Sequence, residues 1–510
     1  MSHKPATLSH GIDGLPADVD VLVVGLGVTG AGVALDAASR GLRVAAIDAF
    51  DVAFGTSRWS SKLVHGGLRY LAKGQFGVAH ESAVERRILM ERTAPHLTHP
   101  MPMLLPLTPS VSRSQGALAK LGFIAGDALR RTSRTRSETL PKPRSLSRTE
   151  TMAMAPDLRY AGLRGGLISW DGQLEDDARL VIALARTAAA HGADVRTRVR
   201  ATSVTGKSAE LRDELTGKAH SIEAKAVINA TGVWAGNLVG VTLKPSRGTH
   251  LVLRKGSLPG LNTALTVPVP GTRNRYMFVL PQPDGNLYVG LTDVESEGEV
   301  PDVPEPSESE IGLLLDVVAS AFEHPIRRSD VVGAFAGLRP LLDSGGATAD
   351  LSRKHAVLTS PSGVVTIVGG KLTTYRKMAE EAVDATSLAK GQCRTRQLPL
   401  LGAASRAELS TIEETERLVR RYGTEARLVR DNAREVSGLS DDELLKPAAP
   451  PLPVTLAELI FGVTHEGAVG VSDLLERRTR ISLIPTDIDI ARPAAEKALH
   501  LVAAYQSSRN

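Results

Sequence analysis

The chain has 510 residues, 42% hydrophobic and 23% charged, which gives room for two to four globular domains and excludes a disordered or fibrous protein. Its net charge of +5 is local in origin, because residues 111–150 alone hold nine Lys or Arg against three Asp or Glu. Eight Phe, seven Tyr and three Trp leave little for base stacking, so no nucleic-acid partner is expected, and the single Cys393 points to a reducing compartment.

Asp13, Asp18 and Asp20 interrupt the early chain, so no secretory signal is readable. The apolar window Val21 to Leu35 is too short and too glycine-rich to span a bilayer. The expected location is the cytoplasm, or the cytoplasmic surface of a membrane, without a spanning segment. Val19 to Val24 predicts a buried parallel strand that opens into Gly25-Leu26-Gly27-Val28-Thr29-Gly30 and a helix ending at Arg40 and Gly41. A second strand, Arg43 to Ile47, ends at Asp48, 23 positions after Gly25. In this pattern Gly25 permits the tight turn, Gly27 the approach of a pyrophosphate, and Gly30 close helix–strand packing. The helix N-terminus attracts the anion, and Asp48 accepts ribose hydroxyls, which selects an NAD- or FAD-type dinucleotide.

The next motif, Gly55-Thr56-Ser57-Arg58-Trp59-Ser60-Ser61-Lys62-Leu63-Val64-His65-Gly66-Gly67-Leu68-Arg69-Tyr70, combines hydroxyls, a histidine and an Arg-Tyr pair. It suits a flavin contact and an anion pocket. Ala117 to Arg131 forms an amphipathic helix (Leu118, Leu121, Ile124, Ala125, Ala128 and Leu129 on one face), followed by Arg134 and Arg136. Such a helix either lies in a membrane interface or packs on the protein's own core. Further on, a helix is expected over 175–191, one strand over 194–204, and another over Ala226 to Ile228 ending in Asn229-Ala230-Thr231-Gly232. Strand-like segments at 249–254, 276–280, 287–291 and 331–335 predict a largely antiparallel sheet inserted into the nucleotide fold. Ser307 and Glu310 form a capping box ahead of Ile311 to Val318.

Val364 to Val368 predicts one more buried strand, opening through Gly369-Gly370-Lys371-Leu372-Thr373 into a helix that repeats the anion-binding device. Arg339, at the end of an apolar run, needs a partner if buried. Beyond Cys393 the chain turns to charged helical periodicity over 403–445, 455–480 and 492–505. His465 and Glu466 lack metal-ligand spacing and are expected on a helix surface, so no metal is implied. The expected architecture is α/β. It comprises a Rossmann-like region over 17–390, with nucleotide-binding segments near 17–75, 170–235 and 330–390 and substrate segments near 76–169 and 240–330, then a helical domain over 395–510.

With these segments placed, the chain resembles the FAD-dependent glycerol-3-phosphate dehydrogenases, a branch of the D-amino-acid-oxidase-like flavoproteins. The resemblance rests on Val24 to Gly41, Ser60 to Leu71, Gln173 to Leu180, Asn229 to Gly232, Thr292-Asp293-Val294-Glu295 and Gly369 to Ala379. Leu26 departs from it, standing where the family commonly has a third consecutive glycine. The resemblance implies oxidation of sn-glycerol 3-phosphate at C2 to dihydroxyacetone phosphate with FAD as cofactor. The family's oxygen-using oxidases carry an insertion not seen here, so the implied acceptor is a quinone. It further implies a membrane-surface contact, and a homodimer is compatible with it. Arg69, Tyr70, Arg339 and Lys371 would bind substrate, Arg339 also polarising the reacting oxygen, and His65 or His250 would take the proton. Gly25, Gly27, Gly30, Asp48, Thr56, Ser57, Ser61, Lys62, Gly232, Asp293, Gly370, Lys371, Leu372 and Thr373 would hold FAD. The rival reading is an FAD-dependent oxidase of another hydroxy or amino substrate; a second is a flavin-binding scaffold without turnover.

Overall fold

The β-branched run at the start of the chain forms the strand Asp18–Val24, the centre of a nine-stranded sheet. The structure, a computed structural model, describes residues 6–71, 74–270, 272, 275–343 and 354–509, with the backbone alone at 68, 69 and 255. Asp18–Val24 pairs in parallel with Val44–Ile47 on one side and Ala219–Asn229 on the other. Asp194–Thr197 and Val365–Val368 extend the parallel core outward. Alternate side chains of the central strand face opposite ways. Val21 and Val23 pack with the helices Val28–Ser39, Asp177–Ala190 and Tyr375–Ala385. Leu22 and Val24 pack instead with the antiparallel strands Val199–Val204 and Ser208–Asp213. The single strand expected over 194–204 is thus two, divided at Arg198, whose φ of 61° breaks the extended backbone.

The second sheet has ten strands and is antiparallel except for one pair. Ser246–Arg254, Tyr276–Pro281, Asn286–Gly290 and Val331–Arg339 lie where alternation placed them. Three more long strands, Thr98–Pro106, Gly166–Leu174 and Ala264–Pro268, and three short ones, Leu63–Val64, Arg144–Leu146 and Val294–Glu295, complete it. The helix Glu308–Ala319, with the expected capping box at Ser307 and Glu310, covers one face through Leu314, Val317 and Val318.

Helices including Ala426–Ser437, Leu456–Thr464 and Pro485–Ser507 form a third layer with its own core around Leu459, Phe461 and Val502. The last helix begins seven residues before the expected 492, because Pro485 sits in its first turn, where a missing N–H costs nothing. The interior Pro493 is tolerated on the solvent side.

Candidate active site

Between the central strand and its helix, the glycines do what their spacing requires. Gly25 has φ +102°, and a Cβ there would lie 2.7 Å from the Ala230 carbonyl oxygen. A Cβ on Gly30 would fall 1.8 Å from the Gly25 oxygen, so helix and turn touch backbone to backbone. At Gly27 the only atom of the described residues beyond its chain neighbours within 4 Å of a Cβ is the Ser57 hydroxyl, at 3.1 Å. That opening, at the N-terminus of the helix Val28–Ser39, fits a pyrophosphate. Leu26, the departure from the family pattern, is fully buried. Its N–H donates to Asp48 Oδ2 at 2.8 Å while Phe50 N–H donates to Oδ1 at 2.9 Å. Burial nevertheless holds the Asp48 carboxyl at about 6, above the usual range, despite those two bonds.

The hydroxyl loop closes over the same cradle. Ser57 Oγ accepts the Val28 N–H at 2.8 Å, standing where an anion's oxygen would take that first helix donor. Thr56 Oγ1 donates to the Leu338 carbonyl at 2.6 Å, tying the loop to the second sheet. Lys62, in a left-handed conformation (φ 55°), is buried, with its ammonium 3.4 Å from Asp177 and over the Tyr288 ring. Leu63–Val64 then adds a short strand to Gly166–Leu174, so the loop that starts at the cradle ends in the second sheet. His65 is half-buried. The Arg69 side chain lies outside the described residues. From the far side of the cradle come Gly232, with φ +62°, and Gly370, with φ +75°. Leu372 and Thr373 form the tight turn that starts the helix Tyr375–Ala385. Lys371 holds its ammonium 3.9 Å from the centroid of the buried Tyr70 ring.

One face of the strand pair Ser246–Arg254 and Val331–Arg339 carries the remaining residues, at period two. Arg339 sits opposite Ser246, and its guanidinium donates to Ser246 Oγ at 3.2 Å, the Thr292 carbonyl at 3.2 Å and Asp293 Oδ1 at 3.4 Å. Gly248 makes this possible, since a Cβ there would lie 2.2 Å from Nη2. Asp293 therefore stands at Arg339. His250 is 1% exposed, stacked on Phe335 and bonded through Nε2 to Ser61 Oγ at 2.8 Å. Burial, with the charges of Lys62 and Arg339, pushes its pKa down to about 3, so the ring is neutral.

Several supporting residues carry no local motif. Asp177 accepts both the backbone N–H and the hydroxyl of Ser60, at 2.9 and 2.8 Å. Glu310, known from its capping box, also accepts from Thr292, Thr249 and Arg247, bracing the strand behind Arg339. The segment Gln173 to Leu180 was the available signal for Asp177; nothing local marks Glu310's second task. Two expectations are corrected. His465 and Glu466 are buried, the ring stacked on Phe461 and the carboxylate paired with Arg179, because they fill the joint between domains. Arg130, expected beside Arg131, Arg134 and Arg136 on an open basic surface, folds inward onto Asp127 and the Thr135 carbonyl.

A parallel sheet with this glycine turn, joined to an antiparallel sheet that brings cations to its mouth, defines a dinucleotide-dependent oxidoreductase. The model for "FAD dependent oxidoreductase" matches residues 20–376, and that for "C-terminal domain of alpha-glycerophosphate oxidase" matches 393–507. Glycerol-3-phosphate dehydrogenase 1 of Mycobacterium tuberculosis is 52% identical over 482 residues, covering 92% of each chain. A mitochondrial glycerol-3-phosphate dehydrogenase of Arabidopsis thaliana is 34% identical over 96% of this chain and 83% of its own. The solved glycerol-3-phosphate dehydrogenase of Bacillus halodurans, complexed with FAD, superposes with a TM-score of 0.73 at 28% identity, covering 98% of this chain and 95% of that one. The chain belongs to the FAD-dependent glycerol-3-phosphate dehydrogenase family, and its cofactor is FAD. Among the described residues no helix is long and apolar enough to cross a membrane.

Proposed function

We propose that the protein oxidises sn-glycerol 3-phosphate at C2 to dihydroxyacetone phosphate and passes the electrons to a membrane quinone. The observation that carries the first half is Arg339, fixed by three acceptors and given its space by Gly248. A guanidinium oriented in this way suits a planar, bidentate contact with phosphate or the polarisation of the C2 oxygen. Lys371, with Arg69, supplies the remaining cationic charge for a dianionic substrate. Bound FAD supplies the acceptor for the C2 hydride. For the cofactor, this reading assigns Gly25, Gly27 and Gly30 to the pyrophosphate, Asp48 to the ribose, and Thr56, Ser57, Ser61, Gly232 and Gly370 to Thr373 to the flavin side, while Lys62, paired with Asp177, and Asp293, paired with Arg339, support the site from behind.

His65 is the proton acceptor on this reading. His250 is enclosed, and protonating it would bury a cation between Lys62 and Arg339, which its depressed pKa already reflects. Its bond to Ser61 makes it a brace for the flavin loop.

Support for the second half comes from the helix Arg113–Thr132. Leu118, Leu121 and Ile124 are 59%, 63% and 58% exposed, so its apolar face points away from the protein's core. Phe76 is 68% exposed on the neighbouring helix Phe76–Ile88. With Lys120, Arg131 and Arg134 exposed as well, the surface fits the headgroup boundary of an anionic bilayer.

Arg339→Leu tests the substrate assignment. It should lower kcat/KM for glycerol 3-phosphate on the order of 10²-fold, matching a lost charge-assisted contact of about 2–3 kcal/mol, with FAD content unchanged. Unaffected turnover would make Arg339 structural.

A further inference from the structure

The loop from Asp51 to Lys62 is gripped from behind by a single turn of the C-terminal domain. Leu474–Arg478 is a π-helical turn, and Arg480 follows it in a left-handed conformation with φ 64°. This unusual backbone brings Glu476, Arg477, Arg478 and Arg480 to bear on one short stretch of the nucleotide-binding domain. The two inner arginines converge on the fully buried Asp51: Arg477 Nε and Arg478 Nη1 both donate to Oδ2 at 2.6 Å. Arg58, 1% exposed, pairs with Glu476 and turns its Nε to the Phe54 carbonyl at 2.8 Å. Arg480 donates to the Arg58 carbonyl. Its guanidinium also lies over the Trp59 ring at 5.3 Å, with Arg58 at 4.3 Å.

The electrostatics show why this grip is conditional. Arg58 is buried between Arg477 and Arg480, and burial followed by Arg477's like charge pushes its pKa down to about 10. The Glu476 carboxylate opposes both effects. Arg480 is likewise answered by Asp177, 3.7 Å away, the carboxylate that also fixes Ser60 and Lys62. Remove either Glu476 or Arg480 and the loop keeps its sequence but loses the charge that holds its backbone in place.

We propose that Glu476 and Arg480 are positioning residues: the C-terminal domain locks the loop 56–62 in its cofactor-binding conformation, so flavin affinity depends on a turn that carries none of the candidate site residues. The inference rests on the reading that Thr56, Ser57 and Ser61 contact FAD. An oxidoreductase built this way retains its cofactor only when its last domain is docked.

The test uses the full-length holoenzyme and apoprotein. Glu476→Gln and Arg480→Ala should each raise the Kd for FAD about tenfold or more, the scale of one charge-assisted hydrogen bond. Arg480→Lys should recover part of the loss, and in a Trp170→Phe, Trp234→Phe background the fluorescence of Trp59 should change in the apoprotein of the two damaging variants. Glu425→Gln is the control, since it breaks the Arg186 pair across the same domains away from the loop. It should lower thermal stability and leave the Kd for FAD within about twofold, as expected for an interface pair outside the binding site. The proposal is overturned if Glu476→Gln and Arg480→Ala bind FAD as wild type does, or if Glu425→Gln weakens it equally. Should Glu476→Gln not fold, the Arg480→Ala and Arg480→Lys comparison decides alone. Ser57→Ala separates the two readings: if it leaves FAD binding unchanged, the loop assignment has failed, whereas a loss there with unaltered clamp variants defeats the clamp alone.

Discussion

His65 and His250 show how far two identical residue types can diverge. On sequence alone both are candidates, and no periodicity distinguishes them. The structure encloses His250 behind Ser61, Phe335 and Gly290, where a Cβ would lie 2.4 Å from its ring. It leaves His65 half open on the loop. His65→Asn should therefore lower kcat on the order of 10²-fold or more with normal flavin content, the usual loss for a general base. The loss for His250→Asn should be smaller and accompanied by weaker flavin retention. Stopped-flow reduction and flavin titration measure both, and a larger loss of kcat at His250 would reverse the assignment. Asp48 gives the pH dependence. Burial holds its carboxyl at about 6, and the ionised carboxylate accepts ribose hydroxyls through both oxygens, whereas the acid accepts them more weakly. As pH falls below 6 the acid form is increasingly populated, and FAD must pay to remove its proton. The Kd for FAD should rise about tenfold between pH 7.5 and pH 5, and Asp48→Asn should flatten that profile. A pH-independent wild-type Kd would remove Asp48 from the ribose site.

At the scale of elements, local signals succeeded where one period and one environment act. The run Val19–Val24, the glycine turn, and the capping box at Ser307 are written in neighbouring residues, and each forms as read. Thr98–Pro106 was hidden by its prolines. Pro100, Pro102 and Pro106 share one parity, so their missing N–H groups all face the same edge, where Thr263 donates to the Pro102 carbonyl. The opposite edge pairs fully with Gly166–Leu174. The helix Arg113–Thr132 was legible as amphipathic, but its direction was not, because sequence does not say which face meets the core. Arg130 illustrates the limit: its neighbour Asp127 draws it inward. Replacing Lys120, Arg131 and Arg134 by glutamate should release the protein from anionic liposomes, since each basic residue is worth roughly 1 kcal/mol there. Turnover with a soluble dye should persist. Co-sedimentation at the wild-type level would place membrane contact elsewhere, and a change in sedimentation coefficient without lipid would mark the face as a self-association surface.

Across the whole molecule, function depends on contacts of long sequence separation that no local pattern encodes. Arg339 is set by residues at 246, 292 and 293, and Arg58 by residues more than four hundred positions away. The parts of the site that sit on one turn were readable; the braces that orient them were not, because they are charges from separate domains meeting in a common interior. Together these residues form one constellation proposed to oxidise glycerol 3-phosphate through FAD. The most direct measurement is anaerobic titration of the purified holoenzyme with sn-glycerol 3-phosphate, followed by the flavin's visible absorption. Stoichiometric bleaching is expected, with no bleaching by glycerol or by amino and hydroxy acids lacking phosphate. A flavin that stays oxidised with glycerol 3-phosphate, or that is reduced as readily by an unphosphorylated substrate, would contradict this assignment.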